Sequence, residues 1–258
     1  MRVYWLEQKE RDVPSDNSWL SPAEVDCLDK LQFAKRRADW RLGRWTAKRA
    51  IVACLNWPRH PRILARIEIV ASASGAPEAR LPHLATPVTI SLSHRAGISV
   101  CAVASAGVKL GCDLEVIEHR SPEFVADYFT PLEQALIARA SPTRQPALVT
   151  LLWSAKESVL KALHEGLRLD TRSVIVTPEV GAPDKCGWSP LHACHTDGQG
   201  FHGWWRSNER MIHTVLADPG PDCPILLEQD EHMRPFDPRI DLHGGMHGSM
   251  ELFPIAAR

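Results

Sequence analysis

Trp153-Ser154-Ala155-Lys156-Glu157-Ser158-Val159-Leu160-Lys161 is the stretch on which the reading of this chain turns. It lies in a segment running from about Pro146 to His164 with no internal glycine or proline. Leu148, Leu151, Leu152, Val159, Leu160 and Leu163 recur near helical spacing, which predicts a helix. Trp153, Glu157 and Lys161 then stand at i, i+4 and i+8 and share one face. By itself, a carboxylate one turn from an ammonium reads as a surface ion pair contributing about 0.2–0.5 kcal/mol.

Working outward, Gly111-Cys112-Asp113-Leu114-Glu115 changes that reading. It follows Gly97 to Ala104, a run of small and β-branched residues typical of a buried strand. If Val108 to Val116 is also extended, Asp113 and Glu115 point to one side and Cys112 and Leu114 to the other. Two adjacent carboxylates repel each other, and a fold tolerates them best with a cation between them. Glu157 would add a third oxygen ligand. Three carboxylates and no obvious soft ligand suit Mg²⁺, a hard ion that keeps several waters and takes phosphate as a remaining partner.

Gly-x-Asp-x-Glu, followed some forty residues later by Trp-x-x-Lys-Glu-Ser-x-x-Lys, resembles the signature pair of the 4'-phosphopantetheinyl transferases. The resemblance runs from about Ser21 to Val176. The tryptophan before Lys-Glu-Ser and the chain length are similar to the larger, Sfp-type branch rather than the short trimeric one. The resemblance implies an α+β fold of two similar α+β halves related by a pseudo-twofold axis, with the active site between them. Expected divisions are 1–108, an N-terminal half carrying a coenzyme A cradle, and 109–218, with the acidic metal site and the signature helix. The remainder, 219–258, is a tail rich in proline and glycine, in which no element and no role is legible.

The implied reaction moves the phosphopantetheine arm of coenzyme A onto a serine of an apo acyl or peptidyl carrier protein, releasing 3',5'-ADP. Mg²⁺ would be held by Asp113, Glu115 and Glu157. Glu157 is the candidate base for the serine proton, and Lys161 would stabilise charge on the transferring phosphate or the leaving group. Two other classes stay open. A Mg²⁺-dependent phosphodiester hydrolase would use the same three acids without a carrier, and a non-catalytic module would bind coenzyme A or a carrier without transfer.

Candidates for the coenzyme A site lie upstream. Phe33 to Leu55 is a second predicted helix, with seven cations between Lys35 and Arg49 and Trp40, Trp45 and Ile51 interleaved. Such a run reads either as a solvated amphipathic face or as a cradle for a polyanion. Phe33 to Arg44 is similar to the Arg-rich segment that contributes to the family's coenzyme A site, so Arg41, Arg44 and Lys48 are candidate ligands. Ser91-Leu92-Ser93-His94, ending a predicted strand from Val88, resembles the family's Ser-His motif and adds Ser93 and His94. Many family members have Gly-Lys-Pro where this chain has Gly75-Ala76-Pro77, so one cation is missing.

Composition bounds the partners. Of 258 residues, 44% are hydrophobic and 24% charged, ordinary values for a globular chain, and the formal net charge is −1. Nothing in that balance points to nucleic acid or an anionic membrane. Apolar runs fall short of the roughly 20 residues of a membrane span, and the N-terminus is charged too early for a secretory signal. Seven cysteines without a Cys-x-x-Cys pair read as reduced thiols, hence a cytoplasmic protein. A monomer is expected from the larger branch.

Ser21-Pro22-Ala23-Glu24, Ser121-Pro122-Glu123 and Thr130-Pro131-Leu132-Glu133 read as capped helix starts. Between the last two, Phe124, Val125, Tyr128 and Phe129 form an apolar stripe, either core or part of a carrier-docking groove, with His119, Arg120 and Arg139 able to meet an acidic partner. Glu165-Gly166 is expected to cap the signature helix. Strands are expected at 66–71, 173–177 and 212–217. Cys186, His192, Cys194 and His195 lie in a loop-like stretch whose spacing fits no familiar zinc site, and His243 and His247 are weak metal candidates. No tandem repeat is visible.

Overall fold

The computed structural model describes residues 1–81, 88–179 and 183–227; the expectations for His243 and His247 lie outside the described residues. The chain runs β1 (Tyr4–Lys9), α1 (Pro22–Asp29), α2 (Ala34–Cys54), α3 (Pro61–Leu64), β2 (Glu68–Ala71), β3 (Pro77–Arg80), β4 (Val88–Arg95) and β5 (Ile98–Ser105). It continues with β6 (Lys109–Val116), α4 (Pro122–Tyr128), α5 (Pro131–Arg139), α6 (Gln145–Ala162), β7 (Val174–Pro178), β8 (Ser189–His195), β9 (Gly200–Ser207), β10 (Met211–Asp218) and β11 (Ile225–Leu226). The fold is mixed α+β, as expected.

One sheet has the order β11-β1-β5-β4 and a second β6-β10-β9-β8-β7, while β2 and β3 form a separate hairpin. Within the two larger sheets every pairing is antiparallel except β1 with β11. Helix α2 packs on the first sheet through Trp45, Ala47, Ala50 and Ile51, and α6 on the second through Leu152, Ala155, Val159 and Leu160. The other faces of the two sheets meet in a third cluster, where Val3, Trp5, Val100 and Ala102 touch Cys112, Leu114 and Val215. β5 is therefore covered on both sides, which is why it reads as an unbroken apolar run rather than an alternating one.

Two starts carry the same device. Ser21 caps α1 in a reciprocal box with Glu24, and Thr130 caps α5 in one with Glu133. Glu24 also accepts from the Ile69 amide at 3.1 Å and pairs with the buried Lys48. Glu133 accepts from the Val176 amide at 3.0 Å and lies 2.9 Å from the buried Lys156. In each case one carboxylate closes a helix start, anchors a strand and neutralises a lysine from the long helix. Trp45-Thr46-Ala47-Lys48 in α2 thus corresponds to Trp153-Ser154-Ala155-Lys156 in α6, a repeat the sequence reading missed. The match continues past both helices: Asn56 and His164, eight residues beyond Lys48 and Lys156, have φ of 52° and 59°.

That last detail corrects one expectation. α6 ends in the left-handed residue His164, and Gly166 belongs to the following short 3₁₀ turn. Two further corrections concern strands. The stretch containing His192, Cys194 and His195 is not a loop but β8, and Ile225–Leu226 of the tail forms β11 beside β1.

Candidate functional site

β6 brings its carboxylates to α6 through a glycine. A Cβ at Gly111 would lie 1.7 Å from the Ser158 carbonyl oxygen, so only glycine lets strand and helix approach this closely. Asp113 and Glu115, two and four residues on, share the side of β6 that Gly111 turns to α6. On the helix, Ser154 and Ser158 bond Thr214 of β10 at 2.9 and 2.8 Å and fix its rotation.

Asp113 is buried. Its Oδ1 accepts from Lys161 Nζ at 2.7 Å and from Ser93 Oγ at 2.8 Å, while Oδ2 is buried without a partner. Lys161 also donates to the Cys112 carbonyl oxygen at 3.0 Å. Glu115 Oε2 has Arg95 Nε at 3.5 Å and Arg120 Nη2 at 3.8 Å, beyond hydrogen-bond geometry, and is likewise buried without a hydrogen bond. Arg120 stacks over the Phe124 ring, its guanidinium carbon 5.0 Å from the centroid. The neighbouring Trp153 side chain favours the charged form of Glu115.

The electrostatics agree with this crowding. Burial, then the Asp113 charge, pushes the Glu115 carboxyl above the ordinary range, against the pull of Arg95 and Arg120. Burial, Asp113 and Glu115 push Glu157 up in the same direction, with Lys161 opposing. For Lys161 burial is the largest single influence and works against its charge, but Asp113, Cys112 and Glu157 together outweigh it and the net shift is upward. Three neighbouring carboxylates, two of them with a bare buried oxygen, are a donor set suited to a hard divalent cation. They are not closed into a chelate: among the described residues no three His, Cys, Asp or Glu side chains converge on one metal position.

Beside these acids a cavity of about 600 Å³ opens between α2 and β4. Lys35, Arg36 and Arg44 line it from the helix, Ser93 and His94 from the strand, and Pro77 from the hairpin. Arg44 lies 4.4 Å over the Trp40 ring; it reaches the Ile69 carbonyl at 3.4 Å, and its Nε is buried and unpartnered. Ser93 belongs both to the cavity wall and to Asp113, so the cationic pocket and the acidic cluster are continuous.

Of the expected coenzyme A ligands, Arg44, Ser93 and His94 line this cavity, and Asp113 ties Lys161 to its edge through Ser93. Arg41 and Lys48 do not line it. Arg41 holds the carbonyl oxygens of Pro14, Ser15 and Asp16, and Lys48 is fully buried against Glu24 and the Trp19 carbonyl oxygen. Their positive charges come from the same run, but α2 turns them elsewhere. Phe33, Lys35, Arg36, Asp39, Trp40 and Gly43 face the cavity instead. The available signal was helical spacing, since Arg36, Trp40 and Gly43 recur at i, i+4 and i+7.

The apolar stripe divides. Phe129 is buried in the core, whereas Phe124, Tyr128 and Trp153 form an aromatic group with centroids 4.7 to 5.1 Å apart. Tyr128, Leu132 and Leu136 are exposed. No helix of the described residues is long and apolar enough to cross a membrane.

The family model of the 4'-phosphopantetheinyl transferase superfamily matches residues 109–202, from the first residue of β6 into β9, and this span contains Asp113, Glu115, Glu157 and Lys161. No curated protein matches the chain. Residues 109–202, set in a mixed α+β fold, are similar to the 4'-phosphopantetheinyl transferase superfamily.

Proposed function

We propose that this protein transfers the phosphopantetheine arm of coenzyme A to a serine of an apo acyl or peptidyl carrier protein. The superfamily match supports phosphopantetheinyl transfer in general. The observation that carries the finer reading is the continuity of pocket and acids, with Ser93 of the cavity wall 2.8 Å from Asp113 Oδ1. A diphosphate held by Arg44, Ser93 and His94 would present its far phosphorus to the carboxylates.

The serine oxygen attacks the phosphorus bearing the pantetheine arm, and the bond from that phosphorus to the bridging oxygen breaks, releasing 3',5'-ADP. Glu157 takes the hydroxyl proton; burial and its acidic neighbours raise its affinity for one. Lys161, fixed on Asp113, faces the charge that develops on the phosphoryl oxygens. Asp113, Glu115 and Glu157 would hold Mg²⁺, which when bound supplies charge neutralisation at the diphosphate. Tyr128, Leu132 and Leu136 form the exposed apolar surface for the carrier, with Arg120 beside it for an acidic partner. The chain divides near Lys109 into two halves and acts as a monomer of the larger branch.

The test is intact-mass spectrometry of apo carrier proteins incubated with the protein, coenzyme A and Mg²⁺, with an EDTA control. Addition of one phosphopantetheine to a carrier, only with Mg²⁺, is the expected result. Coenzyme A cleaved without a modified carrier would replace this reading with a hydrolase, and binding without any turnover would replace it with a binding module.

A further inference from the structure

We infer that Thr214 is a positioning residue for the transfer reaction: its hydroxyl sets the rotation of α6 on β10 and so places Lys161 against Asp113. This rests on the transfer reading above and adds a residue of β10, beyond the span 109–202 that the family model matches.

Thr214 stands directly opposite Asp113 in the antiparallel ladder of β10 and β6. Residues paired in this way project to the same face of a sheet. Ile212 and Leu216, two residues to either side, share that face and pack on α6. Thr214, Ser154 and Ser158 are all fully buried. Thr214 Oγ1 makes three contacts with α6: Ser154 Oγ at 2.9 Å, Ser158 Oγ at 2.8 Å and the Ser154 carbonyl oxygen at 3.0 Å. A hydroxyl has one proton and two acceptor sites. All three contacts are hydrogen bonds in one arrangement only, with Thr214 donating to the carbonyl and accepting from both serines. The fork is complete, shielded from water, and spans one turn of the helix.

Packing alone does not require it. α2 sits on the first sheet as α6 sits on the second, and the residues of α2 that correspond to Ser154 and Ser158 are Thr46 and Ala50. Thr46 turns back on its own helix, donating to the Leu42 carbonyl oxygen at 2.8 Å, and Ala50 has no hydroxyl. The fork therefore belongs to the sheet that carries the acids. Apolar contact is non-directional and leaves a helix free to roll, whereas hydrogen bonds fix an angle. A side-chain tip about 6 Å from the helix axis moves about 1 Å for a roll of about 10°. Lys161 holds Asp113 Oδ1 at 2.7 Å, and such a roll would open that contact past hydrogen-bond length. Ser158 is also gripped from β6, its carbonyl against Gly111, so rolling is the freedom that Thr214 removes.

The experiment is steady-state transfer to a carrier protein, read by intact mass, for wild type, Thr214→Val, Thr214→Ser and Thr150→Val. Valine keeps the branched outline of threonine and loses the hydroxyl. In Thr214→Val, kcat should fall about tenfold to hundredfold, the cost of a misplacement of about 1 Å. Its KM for coenzyme A should stay within about twofold of wild type, since Arg44 and His94 lie on α2 and β4. Thr214→Ser, which restores the hydroxyl, should recover most of the loss. Thr150→Val removes another buried hydroxyl, bonded to the Pro146 carbonyl oxygen of its own helix, and should leave kcat within about twofold. In a Lys161→Ala background Thr214→Val should slow transfer less than it does alone, because the group it positions is gone. Thermal melts establish that each variant is folded, and Ser158→Ala, with the same expected loss of kcat, takes the place of Thr214→Val if valine unfolds the chain. A lowered melting temperature with wild-type kcat, a serine variant no better than valine, or equal slowing in both backgrounds would overturn the inference and leave the transfer reading standing. Absence of transfer by wild type to any carrier would overturn both.

Discussion

Lys161 Nζ lies 2.7 Å from Asp113 Oδ1, and through that carboxylate 48 residues of chain are closed between β6 and α6. The contact joins the two motifs that stand apart in the sequence, and it leaves Asp113 Oδ2 bare and buried. A single ammonium therefore satisfies half of one carboxylate in a group of three. Arg95 and Arg120 offset part of the charge on Glu115, and the crowding that remains has measurable consequences.

Glu157→Gln should lower turnover by about two to four orders of magnitude, as loss of a general base does. The same substitution should raise the melting temperature of the metal-free protein by about 2–4 °C, because it removes a buried charge opposed by Asp113 and Glu115. Differential scanning calorimetry in EDTA measures this. A lower melting temperature would show that Glu157 stabilises the fold and that the three acids are not in conflict.

Lys48→Met and Lys156→Met should each cost about 3–5 kcal/mol in chemical denaturation, since each strands a buried glutamate that also anchors a strand amide. At a temperature where Lys48→Met remains folded, its KM for coenzyme A should match wild type. Arg44→Ala should instead raise that KM about tenfold or more. A selective rise in KM for Lys48→Met would return that lysine to the nucleotide site.

Gly111→Ala should be among the most damaging single substitutions, costing more than about 4 kcal/mol. Its Cβ would overlap the backbone of Ser158, which no rotamer change relieves. Gly43→Ala, facing open space, should change stability little or raise it through helix propensity. Comparison of the two melting curves checks the pair; equal curves would mean that β6 and α6 are not in the close contact described.

Glu7 offers a pH dependence away from the acidic site. Its hydrogen bond from His213 at 3.0 Å, with Arg206 at 3.3 Å and Lys9 nearby, holds the carboxyl below its usual value. The unfolded chain binds this proton more readily, so the contribution is complete above the ordinary glutamate pKa and is lost as pH falls through the depressed one. Glu7→Gln should cost about 1–2 kcal/mol at pH 7 and flatten the acid limb of the stability profile below about pH 4.5. Denaturant midpoints from pH 3 to pH 7 provide the measurement. An unchanged acid limb would mean that the contact between β1 and β10 persists when Glu7 is protonated.

The sequence by itself determined the two long helices, most of the strands and the capped helix starts, while the pairing of Gly-x-Asp-x-Glu with Lys-Glu-Ser-x-x-Lys came from the family resemblance. The elements depend on neighbours a few residues apart: Ser21 and Glu24 form a reciprocal cap because three residues of helix place them together. It did not determine which cations of α2 serve the cavity. Lys35, Arg36, Arg41, Arg44 and Lys48 look alike as a string, and only packing against β4, the 14–16 loop and Glu24 sorts them. The equivalence of Lys48 and Lys156 was likewise hidden, because it lies in what each side chain meets: Glu24 and Glu133, more than twenty residues upstream in each case. β8 and β11 were missed for a related reason. A strand's stability comes largely from its cross-strand and face contacts, and His192-Ala193-Cys194 becomes a strand by lying between β7 and β9. Local chemistry fixed the elements and the acids; long-range packing decided which charges are structural and which face the cavity.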